Sequence, residues 1–367
     1  MPGKLDGIGW FTFETLQRIT LAHPDTHFYF LFDRKFNRDV VFGENVTPVI
    51  LRPFTRHPIL WYIWFQWRIR GFLHRKNPDL FLSTDGFIPL RSSTRSVAVI
   101  HDLNFEHRPG DLPALVRWYY RHFFPKFARM ATRIVTVSEY SRRDIINQYE
   151  VDEDKVDLAY NGANDSFTPI SDERAGEVRK QYTGGNPYFI FVGSLHPRKN
   201  ICNLLKAFQL FKEENKGNYK MVLVGEKFFL TRPMKEQLEK MSHRKDVIFT
   251  GRLGPGELNE LIGAAFAMTF VPYFEGFGIP LLEAMKCDVP VIASRVTSLP
   301  EIADEAAIYA SPDSPASIRD AMMRLLREPG LREQLIEKGR SRRTGYSWDH
   351  TAEMLWTSIE KVLKSDA

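Results

Sequence analysis

The chain has 367 residues, of which 43% are hydrophobic and 26% charged, a composition typical of soluble globular proteins. This length is too great for one ordinary core and suits two domains. The net charge of +5 is small, and it is compatible with an anionic ligand, an anionic membrane face or a nucleic acid as the partner.

The sequence shows no signal for export or for membrane insertion. No apolar run approaches the roughly 20 residues that cross a bilayer, and the opening MPGKLDGIGW lacks the apolar segment of a signal peptide. Cys202 and Cys287 are too few for a disulfide framework or a zinc site, so two reduced thiols are expected. We therefore expect a cytoplasmic protein.

Short β-branched or aromatic runs alternate with helix-like segments through the first half of the chain. Helices are predicted at residues 10–22, 58–76, 112–130 and 138–149, the last with Ser138 as its N-cap. Buried parallel strands are predicted within residues 27–33, 46–54, 78–86, 95–103, 133–139 and 155–162.

The strand pattern stops at residues 163–187, which indicate a linker with one short helix, and then resumes. Such alternation on both sides of a linker predicts two doubly wound α/β domains that face each other across a cleft, with ligands at the strand exits. The second half is predicted to contain strands within residues 188–195, 219–226, 246–253, 265–274, 289–294 and 306–310, and helices near 200–214, 231–242, 256–265, 278–287, 315–328 and from 347 onward.

Two cations follow the first strand of the second half. Arg198 and Lys199 lie in VGSLHPRKN, behind a glycine-containing turn, and Asn200 is placed to cap the helix that begins ICNLLKAF. A helix N-terminus offers free N–H groups and partial positive charge, so two cations beside it suit a diphosphate. A solvated Arg-Lys pair in an ordinary loop is the alternative that this motif alone leaves open.

Two carboxylates frame the glycine-rich turn in EGFGIPLLEAMKCDVPVIAS. Glu275 stands at a strand exit, and Glu283 lies eight positions later in a helix that Pro280 can start. Carboxylates that accept hydrogen bonds from neighbouring hydroxyls suit a polyol such as a sugar or a ribose. A helix-dipole acid and a surface acid form the open alternative. Taken together, the two motifs predict a nucleotide-sugar site.

These stretches, FVGSLHPRKN and EGFGIPLLEAMKCDVPVIASRVTSLPEIADEAAIYASP, resemble the retaining glycosyltransferases of family 4. That family has the GT-B fold, an α/β architecture of two facing Rossmann-like domains. The resemblance covers nearly the whole chain, because GIGWFTFETLQRI, VIHDLNFEHRP and TVSEYSRRDI match the acceptor domain. We expect an acceptor-binding domain over residues 1–165, a nucleotide-sugar domain over 166–345 and a C-terminal helix over 346–367 that is a candidate to cross back to the first domain.

The resemblance also implies site residues. The cations would bind the donor diphosphate, the acids the sugar and ribose hydroxyls, the backbone amides of the turn the sugar or phosphate, and a histidine the transferred sugar. The expected catalytic residues are Arg198, Lys199, Glu275 and His101, and the expected donor-binding residues are Gly7, Gly9, Ser194, Leu253, Phe277, Gly278 and Glu283. No metal and no cofactor besides the donor are expected.

The chain departs from the family pattern at two places. Ser194 stands where many relatives carry arginine, so the diphosphate charge must rest on Arg198 and Lys199. Relatives also begin with a strand ahead of the GIG loop, whereas this chain starts at Met1 almost inside that loop. An absent first strand would open a gap in the first sheet and indicates a truncated or misassigned start.

Three other patterns carry less weight. Asp152 and Asp154 have the Asp-x-Asp spacing of metal-dependent glycosyltransferases but lie in a polar connector. His101 and His107 lack a third ligand at a usual spacing. The stretch LWYIWFQWRIRGFLHRK interleaves aromatic residues and cations, as in membrane contacts, but its apolar residues nearly encircle a helix, which favours packing against the first sheet.

We therefore expect a glycosyltransferase that moves a hexosyl group, with mannosyl as one candidate, from a nucleoside diphosphate sugar to a hydroxyl acceptor. Retention of configuration is implied by the resemblance. The acceptor would be a carbohydrate or lipid-linked saccharide of cell-surface polysaccharide synthesis, reached in the cytoplasm or at the inner membrane face, and no nucleic acid would be bound. The alternatives are a nucleotide-sugar epimerase and a non-catalytic nucleotide-sugar-binding protein.

Overall fold

The computed structural model describes residue 5, residues 7–226 and residues 231–364. The chain forms two compact units: unit 1 is Met1–Gly162 with Ser347–Ala367, and unit 2 is Ala163–Tyr346. The expectation of a truncated or misassigned start concerns residues 1–4, which lie outside the described residues. Each unit is built on its own parallel strands, as the α/β expectation requires.

Every predicted strand is present, and all the strand pairs are parallel. The central strands of both units are apolar and buried because helices cover both faces of a parallel sheet. In unit 1, β1 (Phe28–Phe32) pairs with β2 (Val46–Ile50), and a separate sheet has the order β3 (Phe81–Ser83), β4 (Ser96–Val99), β5 (Arg133–Thr136) and β6 (Val156–Leu158). In unit 2 the strands are β7 (Tyr188–Val192), β8 (Lys220–Val224), β9 (Val247–Gly251), β10 (Ala267–Phe270), β11 (Val291–Ser294) and β12 (Ala307–Ala310).

The predicted helices are also present, and Ser138 caps its helix by accepting a hydrogen bond from the Ser141 N–H at 3.1 Å. Three helices were not predicted, namely Asn104–His107, Leu299–Ala303 and Leu331–Arg343. The helices are α1 (Gly7–Ala22), α2 (Pro58–Ile63), α3 (Arg70–Lys76), α4 (Asn104–His107), α5 (Ala114–Met130), α6 (Glu139–Tyr149), α7 (Asp172–Thr183), α8 (Ile201–Glu214), α9 (Arg232–Lys240), α10 (Pro255–Gly263), α11 (Ile279–Lys286), α12 (Leu299–Ala303), α13 (Pro315–Arg327), α14 (Leu331–Arg343) and α15 (Trp348–Lys364).

A π-helical stretch, Trp64–Ile69, joins α2 to α3 without a break, so that residues 58–76 form one continuous helical segment. Its inner side, which includes Phe65, Ile69 and Leu73, is buried in the core of unit 1. Its outer side stays exposed, with Trp67 64% accessible. The segment therefore packs on the core as predicted and still leaves aromatic surface uncovered.

The C-terminal helix α15 belongs to unit 1 and packs against α1. Trp348 meets Phe11 edge to face at 6.4 Å, and Trp356 stacks on His23 at 3.7 Å. Arg18 donates a hydrogen bond to Asp349 at 2.5 Å. These contacts close unit 1 with a segment that follows the whole of unit 2 in the chain.

No helix within the described residues combines the length and the apolar composition that a bilayer span requires.

We predict that Gly162→Ala destabilises unit 1. A Cβ at Gly162 would lie 2.4 Å from the backbone nitrogen of Trp348 and 2.7 Å from the carbonyl carbon of Ser347. Backbone cannot move aside as a flexible side chain can, so the overpacking should cost about 1–3 kcal/mol. Thermal and denaturant unfolding measure the change.

The matched control is Gly176→Ala in α7, where nothing lies within 4 Å of the added Cβ. Alanine should there raise stability by about 0.5–1 kcal/mol, because glycine is a poor helix former. Equal unfolding midpoints for the two variants would contradict the close approach at Gly162.

Candidate active site

The unit 2 sheet has the strand order β12-β11-β10-β7-β8-β9. From β7 the chain proceeds outward through β8 to β9 and then returns to the other side of β7 with β10. The switch of direction therefore falls between β7 and β10, and loops that leave neighbouring parallel strands at such a point separate to form a ligand crevice. The predicted cationic loop follows β7 and the predicted acidic loop follows β10.

Arg198, Lys199 and Glu275, here called the ion triad, come together in this place. Arg198 Nη1 lies 2.7 Å from Glu275 Oε1, and Lys199 Nζ contacts the same oxygen. Lys199 is 8% exposed and Glu275 7% exposed, so the pair is nearly removed from water. Two cations share one carboxylate, and the ion triad therefore carries one net positive charge.

Backbone contacts join the two loops as well. The N–H of Tyr273 donates to the carbonyl of Arg198 at 2.8 Å, and Arg198 Nη1 donates to the carbonyl of Phe274 at 3.2 Å. The ammonium of Lys199 lies 4.9 Å from the centre of the Phe270 ring, a favourable cation–π distance. The loop positions are thus fixed by more than the ion pairs.

Asn200 occupies the N-cap position of α8, as predicted, but its side chain binds elsewhere. Its backbone is left-handed, with φ of 63°, and its side chain makes no capping bond to α8. Instead the amide donates to the carbonyls of Val271 at 2.9 Å and Pro312 at 2.7 Å. Asn200 therefore links the exits of β7, β10 and β12, which sequence spacing alone could not reveal.

Hydroxyls that follow β11 fix the acidic loop and were not predicted. The Oγ1 of Thr297 accepts from the N–H of Glu275 at 3.2 Å, and Ser298 Oγ donates to the carbonyls of Glu275 and Phe277 at 3.0 Å each. The only sequence signal was a Thr-Ser pair behind a strand that neighbours β10. These residues orient the Glu275 backbone.

Glu283 lies on α11, and Pro280 is in the first turn of that helix, as predicted. The side chain is half-buried, and within the described residues its carboxyl has no hydrogen bond or ion pair. Burial raises the pKa of Glu283 to about 7 because nothing nearby stabilises the charged form. An uncompensated acid of this kind, in the helix that follows the acidic loop, is a candidate ligand contact.

Gly278 precedes α11 with φ of 105°, a conformation that other residues rarely adopt, and a Cβ there would approach Leu299 Cδ2 to 2.6 Å. The neighbouring Phe277 is buried and packs edge to face on Tyr346 at 5.8 Å. Of the other predicted donor contacts, Ser194 is exposed directly after β7, and Leu253 follows the edge strand β9.

The remaining predicted residues belong to unit 1. His101 follows β4, and its Nε2 lies 2.9 Å from the carbonyl oxygen of Thr84 while its ring meets Phe11 edge to face at 4.9 Å. Gly7 and Gly9 were expected in a loop, but they form the first turn of α1. The predicted helix of residues 10–22 therefore begins three residues earlier than expected, at Gly7.

The alternative metal motifs have structural explanations. Asp152 Oδ1 accepts a hydrogen bond from the Asp154 N–H at 3.0 Å and so caps a 3₁₀ turn. His107 pairs with Asp144 at 2.8 Å. Across the described ranges, no group of three or more His, Cys, Asp or Glu side chains could bind a metal ion.

Two family models match the chain, one in each half. The model described as "Glycosyltransferase Family 4" matches residues 6–167, and the model described as "Glycosyl transferases group 1" matches residues 176–342. The second match includes both loops of the ion triad.

Two relatives of known name are similar to this chain over most of their length. The O-antigen chain mannosyltransferase B of Escherichia coli is 26% identical over 360 residues, which cover 94% of this chain and 93% of that protein. The O-antigen chain mannosyltransferase RfbU of Salmonella typhimurium is 24% identical and covers 89% of this chain and 87% of its own length.

Solved structures show the same fold. Alr3699/HepE of Anabaena, in complex with UDP and glucose, superposes with a TM-score of 0.76 at 15% identity over 98% of this chain and 97% of that one. WaaG, a glycosyltransferase involved in lipopolysaccharide biosynthesis, gives a TM-score of 0.72 at 17% identity, again over 98% and 97%. The predicted GT-B architecture is confirmed.

We predict that Glu283→Gln alters the pH dependence of stability without donor. Because the folded pKa of about 7 lies above the ordinary glutamate pKa of 4.5, the stability linked to this carboxyl is fully present below the pKa of the unfolded chain. It is lost as the pH rises through 7. Glutamine is neutral throughout, so the variant should gain about 2 kcal/mol over the wild type between mildly acidic and alkaline pH.

Thermal unfolding across that pH interval measures the difference. The control is Glu337→Gln on α14, since the Glu337 side chain is 76% exposed. A control variant whose midpoint moves with pH as the Glu283 variant does would show that the effect does not come from burial.

Proposed function

We propose that this chain, which belongs to the family 4 glycosyltransferases, transfers a hexosyl group from a nucleoside diphosphate sugar to a hydroxyl of a saccharide acceptor. Unit 2 would bind the donor and unit 1 the acceptor. The two relatives reported above are named as mannosyltransferases of O-antigen chains, which supports mannose as the sugar and a growing cell-surface polysaccharide as the product.

The observation that carries the donor assignment is the meeting of Arg198 and Lys199 on one oxygen of Glu275. A diphosphate brings about two negative charges to a place with one net positive charge. It can replace the carboxylate as the partner of both cations, and each charge-assisted hydrogen bond contributes about 1.5–3 kcal/mol. Glu275 is then released to accept hydrogen bonds from the sugar.

Glu283 supports the assignment of the ribose. Its carboxyl has no partner within the described residues, and two neighbouring hydroxyls would satisfy it. Hydrogen bonds from a ligand to the carboxylate lower its pKa, so the donor should bind more tightly above the pKa of about 7 than below it.

The chemistry that follows needs no protein nucleophile. The bond between the anomeric carbon and the leaving phosphate oxygen breaks while the acceptor oxygen bonds to that carbon on the same face. The acceptor proton passes to the departing phosphate oxygen, and Arg198 and Lys199 stabilise the negative charge that grows there. Retention of configuration follows from attack on the face that the phosphate leaves.

We predict that Lys199→Ala lowers kcat by about 100-fold or more, because one cation at the leaving group is removed. The fold should survive, since Arg198 still neutralises Glu275 at 2.7 Å. Initial-rate kinetics with a donor and an acceptor saccharide measure the loss.

Lys212→Ala is the matched control. Lys212 is also buried, near the C-terminal end of α8, the helix that begins just after Lys199, and it pairs with Asp246 at 2.9 Å. It lies at the opposite end of α8, roughly 20 Å away at 1.5 Å per residue. Both variants should lose comparable stability, while only Lys199→Ala should lose turnover. A Lys199 variant with near-normal kcat would remove the leaving-group role.

We also predict that product forms only when an acceptor is added. Incubation of the enzyme with nucleoside diphosphate sugar alone should leave the configuration of the sugar unchanged. Conversion of the donor to another sugar would favour an epimerase. Donor binding with neither hydrolysis nor transfer would favour a non-catalytic protein. Thermal-shift screening against uridine, guanosine and adenosine diphosphate sugars identifies the donor first, because the stabilisation grows with the logarithm of the ligand concentration divided by its Kd.

A further inference from the structure

One residue that contacts the ion triad has a backbone conformation that its side chain disfavours. Thr297 has a φ of 51°, and a β-branched residue with a positive φ is an outlier because its Cβ crowds the following carbonyl oxygen. It lies in the turn of residues 296–299, which follows β11. Such a conformation persists only where surrounding contacts hold it, and residues of this kind cluster at functional sites.

The geometry of this turn is one in which glycine is normally found. The N–H of Leu299 donates to the carbonyl of Val296 at 3.2 Å, which closes the turn. Ser298, the second central residue, has a φ of −78° and a ψ of −15°. Together with the positive φ of Thr297, these values match a type II′ turn, whose first central position favours glycine. Threonine thus stands where the turn itself favours another residue.

The contacts of the turn show what the threonine supplies. Thr297 Oγ1 accepts from the N–H of Glu275 at 3.2 Å, while Ser298 Oγ donates to the carbonyl of Glu275 at 3.0 Å. Two successive residues of one turn therefore hold both backbone polar groups of Glu275. Leu299 packs so closely over the same loop that a Cβ at Gly278 would lie 2.6 Å from its Cδ2. A glycine at position 297 would leave the Glu275 N–H without its acceptor.

The turn is itself fixed to the strand that leads into the acidic loop. Ser294, the last residue of β11, is buried, and its Oγ donates to the carbonyl of Pro272 at 2.7 Å, shortly after the end of β10. β10 and β11 are also hydrogen-bonded neighbours in the sheet. The sheet therefore sets the position of the Thr297 hydroxyl relative to Glu275.

We propose that Thr297 is a positioning residue for glycosyl transfer: its hydroxyl fixes the backbone of Glu275, and this hydrogen bond accounts for a strained residue in the turn. The proposal rests on the proposed function, in which a diphosphate becomes the partner of Arg198 and Lys199 and the Glu275 carboxylate turns to the sugar. Because the Glu275 backbone is held at its N–H and its carbonyl, only the side chain has to move.

Three substitutions separate the hydroxyl from the backbone strain. Thr297→Val keeps the branched side chain and loses the hydroxyl, Thr297→Gly loses both the hydroxyl and the strain, and Thr297→Ser keeps the hydroxyl. A 1 Å misplacement of a reacting group can lower a rate by about 100-fold, so the valine and glycine variants should lose about tenfold or more in kcat. The donor KM should stay within about twofold, because the cations that bind the diphosphate are unchanged. The serine variant should recover most of the lost turnover.

Thermal unfolding of the same variants measures the strain. Thr297→Gly should unfold about 2 °C or more above Thr297→Val, because both lack the hydroxyl and glycine adopts a positive φ without a steric penalty. The matched control is Asp304→Gly, since Asp304 is an exposed residue of the same unit with a φ of 46° and a ψ of −125°. This control should also gain in melting temperature, but its kcat should equal that of the wild type.

Amide hydrogen exchange provides a measurement that needs no substrate. The N–H of Glu275 should exchange about tenfold faster in the valine and glycine variants than in the wild type, because the hydroxyl that accepts its hydrogen bond has been removed. In the serine variant and in Asp304→Gly the exchange rate of this amide should stay close to that of the wild type.

Two results would overturn the proposal. One is a valine or glycine variant with the kcat of the wild type, or a serine variant as slow as the valine variant. The other is a Glu275 amide that exchanges at the same rate in all of these proteins. A wild-type chain that shows the expected exchange and unfolding differences but transfers no sugar would instead contradict the proposed function, so the two failures are distinguishable.

Discussion

β7 and β10 are hydrogen-bonded neighbours in the sheet of unit 2, and because both run in the same direction, their exit loops emerge at one edge. The two loops are separated by more than seventy positions in the chain, as Lys199 and Glu275 show, yet their side chains touch. Without this strand order, the cations and the acid would belong to different surfaces. The sheet topology is thus the origin of the site's charge arrangement.

Within the ion triad, both cations are already paired with Glu275 when no ligand is bound. Removing an ammonium and a carboxylate from water is expensive, and mutual contact offsets most of that cost. Arg198 and Lys199 are therefore held in position by Glu275 and need little reorganisation to meet a new anion. Glu283 is the opposite case, because its burial is uncompensated and leaves the acid partly protonated near neutral pH. Glu275 thus holds the two loops together, whereas Glu283 can accept hydrogen bonds from a ligand.

The sequence was sufficient for the strands, most helices and the joint placement of Lys199 and Glu275, because apolar runs mark buried strands and strand exits gather ligands. It was insufficient where tertiary contacts decide the local structure. Asn200 is a residue type that commonly caps helices, but its side-chain amide donates instead to the carbonyls of Val271 and Pro312, which follow distant strands. Nothing in the sequence distinguishes Thr297 from other threonines, because only the fold brings its hydroxyl to the N–H of Glu275. The exposure of Trp67 likewise depends on what covers the helix, which periodicity cannot tell.

The packing of α15 against α1 has a consequence for synthesis on the ribosome. Unit 2 is one uninterrupted stretch and can acquire its native contacts as soon as residue 346 has emerged. Unit 1 is completed later, because the contacts of Phe11 with Trp348 and of His23 with Trp356 form only after α15 has been made. Nascent unit 1 therefore exposes the apolar side of α1 while all of unit 2 is synthesised, and chaperones can bind that surface until α15 covers it.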